Sequence, residues 1–75
     1  MHYVYVLKDS DSELYFGYTN NIERRFKEHN TNGNRKLVYY EAYLSEIDAR
    51  NREMNLKHYG QSKTHLKRRI KESLQ

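Results

Sequence analysis

The chain has 75 residues with a formal net charge of +4, no cysteine and no proline. Because a chain this short buries only about 60% of its unfolded surface, its length predicts a single domain over residues 1–75. The lack of cysteine excludes disulfides and thiolate zinc sites. No apolar run approaches the roughly 20 residues that span a bilayer, which predicts a soluble cytoplasmic protein without a membrane partner, and the positive charge favours polyanionic partners.

Two strand-like segments open the chain. Residues 2–8 and 13–19 are rich in β-branched and aromatic side chains, and a turn-like run of Asp and Ser separates them, as in a β-hairpin. Alternation with a period of two predicts one core face, made of Val4, Val6, Leu14, Phe16 and Tyr18. The opposite face then carries Tyr3, Tyr5, Tyr15 and Gly17.

A short helix is predicted next. Two asparagines, which are good N-cap residues, precede a stripe at i, i+3, i+4 and i+7 that consists of Ile22, Arg25, Phe26 and His29. Half of this stripe is polar, although a stripe that faces a core is normally apolar. The pattern therefore predicts that Arg25 and His29 point inward, towards the hairpin. Residues 30–34 end the helix.

The second half of the chain predicts one strand and two helices. Residues 36–44 are strand-like, and Ser45 begins a capping box that opens a helix running to about Tyr59 and Gly60. Glu53 interrupts the apolar stripe of this helix, between Ala49 and Leu56. The tail, residues 62–74, predicts an amphipathic helix with Leu66, Ile70 and Leu74 on one face and a basic set around them, namely Lys63, Lys67, Arg68, Arg69 and Lys71.

The predicted order is ββαβαα. It indicates an α/β fold of the α+β kind, with a small three-stranded antiparallel sheet and three helices. Arg25 and His29 combine a phosphate-binding group with an imidazole that titrates near neutrality, and Glu53 offers an oxygen ligand suited to Mg²⁺. A partly buried structural ion pair, or snorkelling of these side chains at the edge of the stripe, explains the same three residues equally well. A basic run is more often a solvated face than a nucleic-acid groove.

The order of these motifs is distinctive. Tyr3-Val4-Tyr5 lies in the first strand, Tyr15-Phe16-Gly17 lies in the second, Arg25 and His29 lie in a helix, and Glu53 lies in a later one. This arrangement resembles the GIY-YIG nuclease family, in particular its small stand-alone bacterial members, over nearly the whole chain. The departures at the Gly and Ile positions of the motifs leave both tyrosines and the second glycine in place.

The resemblance implies roles for individual residues. Tyr5, Tyr15, Arg25, His29 and Glu53 take catalytic positions, with Arg25 on the phosphate and Glu53 as the single ligand of one Mg²⁺ or Mn²⁺ ion. Gly17 permits close approach at the site, and a motif tyrosine acts as general base. Apart from the resemblance, the basic charge predicts nucleic-acid contacts at Arg24, Lys63, Lys67, Arg68 and Arg69.

The resemblance also implies a function. It predicts a metal-dependent DNA endonuclease that is structure-selective or weakly specific, acts on branched, nicked or duplex DNA in repair or recombination, and needs no small-molecule cofactor. Compared with close relatives, the connector of residues 30–36 is short, so a DNA-contacting loop is reduced. Two alternatives remain open: a nucleic-acid-binding module without turnover, and a partner-binding scaffold with an unused pocket.

Overall fold

The computed structural model describes residues 1–32 and 35–75, and it describes the side chains of residues 1–28 and 35–75. The order ββαβαα and the three-stranded antiparallel sheet are as predicted. The elements are β1 (His2–Asp9), β2 (Leu14–Thr19), α1 (Ile22–Asn32), β3 (Arg35–Tyr43), α2 (Glu46–His58) and α3 (Gly60–Arg69). None of these helices is both long and apolar enough to cross a membrane.

The turn between β1 and β2 is organised by one carboxylate. Oδ1 of Asp9 accepts hydrogen bonds from the backbone N–H groups of Asp11 and Glu13, each at 2.9 Å. Ser12 has a φ of 66°, in the left-handed region that is uncommon for a residue other than glycine. An aspartate that binds the backbone ahead of it is a frequent turn former, so the turn fixes the hairpin register locally.

The sheet has the order β2-β1-β3, with β1 in the centre. Tyr5 lies opposite Gly17 on β2 and opposite Tyr40 on β3, while Val6 lies opposite Phe16. Directly opposed residues project to the same face, so the register confirms that Tyr5 and Gly17 share one face and Val6 and Phe16 the other. An irregularity in the pairing of β3 follows Val6.

The core lies on the Val6 face of the sheet, beneath α2 and α3. Its buried members are Val4, Val6, Ala49, Leu56, Leu66 and Ile70, and Leu14, Phe16 and Tyr18 pack against them as the alternation predicted. Leu56 is fully buried. Full burial of a leucine stabilises a fold by about 1.5–3 kcal/mol, so α2 is attached mainly by its apolar stripe.

The helix starts agree with the capping residues in the sequence. Oδ1 of Asn21 accepts from the N–H of Arg24 at 3.0 Å, and Oγ of Ser45 accepts from the N–H of Asp48 at 3.3 Å. Such caps satisfy N–H groups that have no partner within the helix. These contacts place the first turns of α1 and α2 where the sequence predicted them.

The last helix differs from its predicted bounds. It begins at Gly60 and ends at Arg69, rather than running from residue 62 to 74. The chain then continues in turns, in which the N–H of Leu74 bonds to the carbonyl of Ile70 at 3.2 Å. Nζ of Lys8 donates to the carbonyl oxygen of Leu74, which holds this segment against β1. The predicted apolar contacts are kept although the regular helix is shorter.

Among the described helices, α1 is the one that packs on the face of the sheet that bears Tyr5. This helix packs mainly against β3, where Ile22 and Phe26 lie beside Leu37 and Tyr40. The two faces therefore differ in kind: one holds the core, and the other holds a partly open layer of aromatic and polar residues. Of the predicted connector, residues 30–32 belong to α1 and residues 35 and 36 belong to β3, while Gly33 and Asn34 lie outside the described residues.

Candidate active site

Tyr5 and Arg25 form the centre of the candidate site. The Nε–H of Arg25 donates to the hydroxyl oxygen of Tyr5 at 2.9 Å, and its Nη1 donates to Glu28 at 3.1 Å. Tyr5 is only 4% exposed, whereas the side chain of Arg25 is 42% exposed. The hydrogen bond to Tyr5, followed by that to Glu28, raises the pKa of Arg25 above its usual range. A guanidinium held in this way presents a fixed, permanent charge to an anion.

Gly17 makes this pairing possible. A Cβ atom built at Gly17 would lie 2.3 Å from the hydroxyl oxygen of Tyr5 and 2.4 Å from its Cζ. The tyrosine ring thus rests directly on the backbone of β2, in the space that any side chain would fill. The sequence predicted a close approach at Gly17, and the group that approaches is the Tyr5 phenol.

Tyr15 has a different set of contacts. Its hydroxyl donates to Oδ2 of Asp9 at 2.9 Å, and the guanidinium of Arg35 lies 3.7 Å from its ring centroid. The hydrogen bond to the Asp9 carboxylate is the main cause of a raised pKa for Tyr15, because a neighbouring anion disfavours a phenolate. Desolvation raises the pKa of Asp9, but the hydrogen bonds from Glu13, Tyr15 and Asp11 outweigh it, so this pKa is lowered overall.

In the sequence, Asp9 is recognisable only as part of the turn-like run between the two strands. In the structure it binds the turn through Oδ1 and the motif tyrosine through Oδ2. A signal existed, because Asp9 faces Arg35 across the β1–β3 pairing, but that register depends on residues far apart in the chain. Asp9 and Arg35 therefore join the candidate site as neighbours of Tyr15.

Glu53 lies on the helix that covers the core face. Its Oε2 pairs with Nζ of Lys57 at 3.2 Å, and its side chain is 20% exposed. Arg50 of the same helix lies over the ring of Tyr18 on β2, at 4.3 Å from the centroid. The described hydrogen bonds and ion pairs do not connect Glu53 with Tyr15 or Arg25. Its membership of the same site remains a prediction.

His29 belongs to α1, but its side chain lies outside the described residues, so its inward orientation remains a prediction. Among the described residues there is no group of three or more His, Cys, Asp or Glu side chains that could hold a metal ion. A single carboxylate such as that of Glu53 meets the requirement of Mg²⁺, which is commonly bound by one or two carboxylates together with waters and substrate phosphate.

The basic residues that were predicted to contact nucleic acid do not form one stripe. Lys63 lies over the ring of Phe16 at 5.5 Å, and Lys67 lines a groove at the turn end of the hairpin. Arg69 lies on the opposite side of α3, in a groove beside β3. Arg24 of α1 is 64% exposed at its side chain and lies 3.8 Å from Glu28. Arg68 is exposed.

A second polar cluster lies at the β3 edge of the core face. The carboxylate of Glu41 accepts hydrogen bonds from the hydroxyls of Tyr39 and Tyr43 and from two nitrogens of Arg52. Desolvation raises the pKa of Glu41, but Arg52 and the tyrosines lower it by more, so it stays ionised. Burial, followed by the hydrogen bond to Glu41, raises the pKa of Tyr43 to about 12. The cluster attaches β3 to α2.

Comparison with known proteins identifies related sequences over most of the chain. A model of the GIY-YIG catalytic domain matches residues 1–63. A UPF0213 protein of Clostridium perfringens is 42% identical over 66 residues, which are 76% of this chain and 71% of that protein. A UPF0213 protein of Haloquadratum walsbyi is 38% identical over 71 residues, which are 83% and 80% of the two chains.

The fold also matches a solved structure. The solution NMR structure of a UPF0213 protein from Bacillus halodurans superposes with a TM-score of 0.62 and 32% sequence identity. The match covers 87% of this chain and 79% of that one. The names of these relatives state no activity, so they support the fold and the family rather than a particular substrate.

Proposed function

The chain belongs to the GIY-YIG catalytic-domain family, and from this premise we propose that it is a metal-dependent endonuclease that hydrolyses phosphodiester bonds in DNA. The proposed substrates are branched or nicked DNA, recognised by their structure rather than by a specific sequence. The proposed setting is DNA repair or recombination in the cytoplasm. One observation carries the proposal. The phenol of Tyr5 packs against the backbone of Gly17 and accepts a hydrogen bond from Arg25, which fixes the arginine side chain. The guanidinium of Arg25 is nevertheless exposed enough to bind an anion.

The reaction needs a water oxygen to attack phosphorus while the bond to the leaving oxygen breaks. Arg25 would bind the phosphate and stabilise the charge that develops on it, since a preorganised donor of this kind contributes about 10²- to 10³-fold in rate. The attacking water loses a proton, and the leaving oxygen gains one. Arg25 remains charged throughout and takes part in neither transfer.

The two motif tyrosines would have different roles. Tyr15 donates its proton to Asp9, so it could accept the proton of the water only while passing its own proton to that carboxylate. The lowered pKa of Asp9 makes this transfer unfavourable. Tyr15 is therefore better suited to orient the water through its oxygen. The proton-accepting role predicted for a motif tyrosine falls to Tyr5, which would take up the proton of the water as a phenolate, after releasing its own proton to solvent.

Glu53 would hold the divalent ion. A single carboxylate is a sufficient protein ligand for Mg²⁺ or Mn²⁺ when waters and a substrate phosphate complete the coordination. When bound, such an ion supplies charge stabilisation at the phosphate and the leaving oxygen. Glu53 would first have to release Lys57, which at present occupies its Oε2.

Cleavage assays on nicked, branched and intact duplex DNA with Mg²⁺ or Mn²⁺ test the proposal. We expect Arg25→Ala and Glu53→Ala each to lower the rate by about 10²-fold or more. Glu46→Ala is a matched control, because Glu46 also forms an i,i+4 ion pair on α2, with Arg50, but is 52% exposed at its side chain. The proposal would be contradicted if Glu53→Ala and Glu46→Ala lowered the cleavage rate equally, or if the natural chain did not cleave DNA.

A nucleic-acid-binding module without turnover is the second candidate. It is favoured by the ion pair between Glu53 and Lys57, which occupies the carboxylate that catalysis requires. This candidate predicts binding that weakens with salt and is indifferent to Glu53→Ala, with a log-log slope that becomes smaller when Lys67, Arg68 and Arg69 are neutralised. Metal-dependent cleavage that is lost in Glu53→Ala would exclude it.

A further inference from the structure

An apolar groove lies beside the candidate active site, between α1 and β3. It has a volume of about 320 Å³, and its walls are formed by Ile22 and Phe26 from α1 and by Leu37 and Tyr40 from β3. Phe26 is 44% exposed and Tyr40 is 52% exposed. Single apolar residues are common on protein surfaces, whereas here two aromatic rings and two aliphatic side chains line one groove and offer a continuous apolar surface to a flat ligand.

The groove is directly connected to the Arg25–Tyr5 pair. Arg25 lies in α1 between the two residues that form the helical wall, and Tyr40 is the cross-strand partner of Tyr5. Side chains that are opposed in this way project from the same face, with Cβ atoms about 4.5–5.5 Å apart. If a ligand binds Arg25 through a phosphate, the group attached to that phosphate would therefore lie at the groove.

The charge around the groove identifies the type of ligand. Lys27 and Glu23 lie at the groove itself. The flanking parts of α1 and β3 on this face carry four cationic residues and two carboxylates; these are Arg24, Arg25, Lys27 and Arg35, and Glu23 and Glu28. The excess of positive charge disfavours a second copy of this chain, whose net charge is +4, and it complements a polyanion that carries flat apolar groups.

We propose that this groove binds an unpaired base of the nucleic-acid strand whose phosphate lies on Arg25, with the base stacked on Phe26 and Tyr40. The inference rests on the proposed function, and it specifies the substrate class as DNA with unpaired nucleotides at a flap, gap or branch. Aromatic rings bind bases of any sequence, because every base has a π face. The groove would thus select unpaired structure rather than sequence.

The test is a binding cycle that combines protein variants with abasic substrates. A labelled duplex with a single-stranded overhang is titrated in EDTA, so that no cleavage occurs, and one abasic site is moved through the overhang. For the natural chain we expect one abasic position to weaken binding by about 5- to 100-fold. Phe26→Leu and Tyr40→Leu should weaken binding to the intact overhang and should make the chain insensitive to that abasic position.

Tyr59→Leu is the matched control, because Tyr59 is 60% exposed at the junction of α2 and α3, and it should keep the sensitivity of the natural chain. The proposal is overturned if no abasic position matters, if the variants lose the same factor on intact and abasic strands, or if the chain binds no nucleic acid. The groove and the nuclease proposals fail separately. Sensitivity to abasic sites without any cleavage supports the groove alone, and cleavage without such sensitivity supports the nuclease alone.

Discussion

Substitution of Gly17 by alanine tests the geometry at the centre of the candidate site. The new methyl group would lie 2.3 Å from the Tyr5 hydroxyl oxygen, whereas ordinary contacts begin near 3.4 Å, so the hydroxyl must retreat by about 1.1 Å. Its hydrogen bond to Nε of Arg25 is 2.9 Å long and would stretch beyond bonding range if the ring moved away from the helix.

The expected effects follow from this displacement. Overpacking at a buried site costs about 1–3 kcal/mol, and Tyr5 is almost fully buried. A displacement of about 1 Å in a catalytic group lowers a rate by about 10²-fold. Gly17→Ala should therefore lower both the free energy of unfolding, measured in urea, and the rate of DNA cleavage. Gly60→Ala is the control, because nothing lies within 4 Å of a Cβ built there, and it should not destabilise the fold.

A double variant separates the clash with Tyr5 from other effects. In a Tyr5→Leu background the phenol atoms that meet the new methyl group are gone, so Gly17→Ala should become neutral or slightly stabilising, as expected for glycine to alanine within a strand. An equal loss of stability in the two backgrounds would show that the alanine methyl group does not destabilise the fold by its clash with Tyr5, and that the cause lies elsewhere in β2.

Three further predictions concern the polar neighbours of the site and the sheet. Asp9→Asn keeps the turn acceptor but removes the anion beside Tyr15, so the pKa of Tyr15 should fall towards its usual value in an NMR titration; an unchanged midpoint would contradict the role of Asp9. Glu41→Gln should lower the free energy of unfolding by about 1–3 kcal/mol, because Arg52 loses its charged partner, and stability equal to the natural chain would show that the cluster is unimportant. The raised pKa of Tyr43, about 12, contributes stability that is present below pH 10 and lost as the pH rises to about 12. Between pH 10 and 12, the free energy of unfolding of Tyr43→Phe should therefore fall by about 1–2 kcal/mol less than that of the natural chain. An equal fall in both proteins would contradict this role of Tyr43.

The sequence predicted those features that depend on local periodicity. Tyr5 and Gly17 share a face because side chains alternate along any strand, and Ser45 begins α2 because its hydroxyl can bind an N–H three residues ahead. Arg25 was identified by its position in an apolar stripe, and its bond to Tyr5 confirms that it points inward. These features need only the neighbouring residues to be known.

Other features depend on contacts between distant segments. Asp9 reaches Tyr15 only because of the hairpin register, and Arg35 reaches the same ring only because β3 pairs with β1. The stripe of α2 placed Glu53 on the same helical face as Ala49 and Leu56, but it did not show which face of the sheet α2 covers. The directions of Lys67 and Arg69 likewise follow from how α3 lies on the core, which a helical pattern leaves open.

The positions of Arg25 and Glu53 limit how one substrate could meet both. Arg25 approaches from the α1 face, whereas Glu53 belongs to α2 on the core face, where neighbouring Arg50 lies over Tyr18 of β2. The order β2-β1-β3 makes β2 and β3 the two edge strands, and the contact of Arg50 with Tyr18 places this part of α2 over β2. A single phosphate that meets both residues is therefore expected at the outer side of β2.

This limit bears on the form of the DNA. A straight duplex that lies flat on the α1 face would leave Glu53 behind the sheet, while a strand that bends sharply at a nick or branch could follow the edge of β2. Straight duplex resists such bending, at a cost of about 1–6 kcal/mol for a smooth bend of 40–90° over a short site, and an interruption in one strand removes much of that resistance. Preference for interrupted DNA would then arise from the position of Glu53 as well as from the groove beside Arg25. A Glu53-dependent activity that cuts intact duplex as fast as nicked DNA would contradict this reasoning even if the nuclease proposal itself were right.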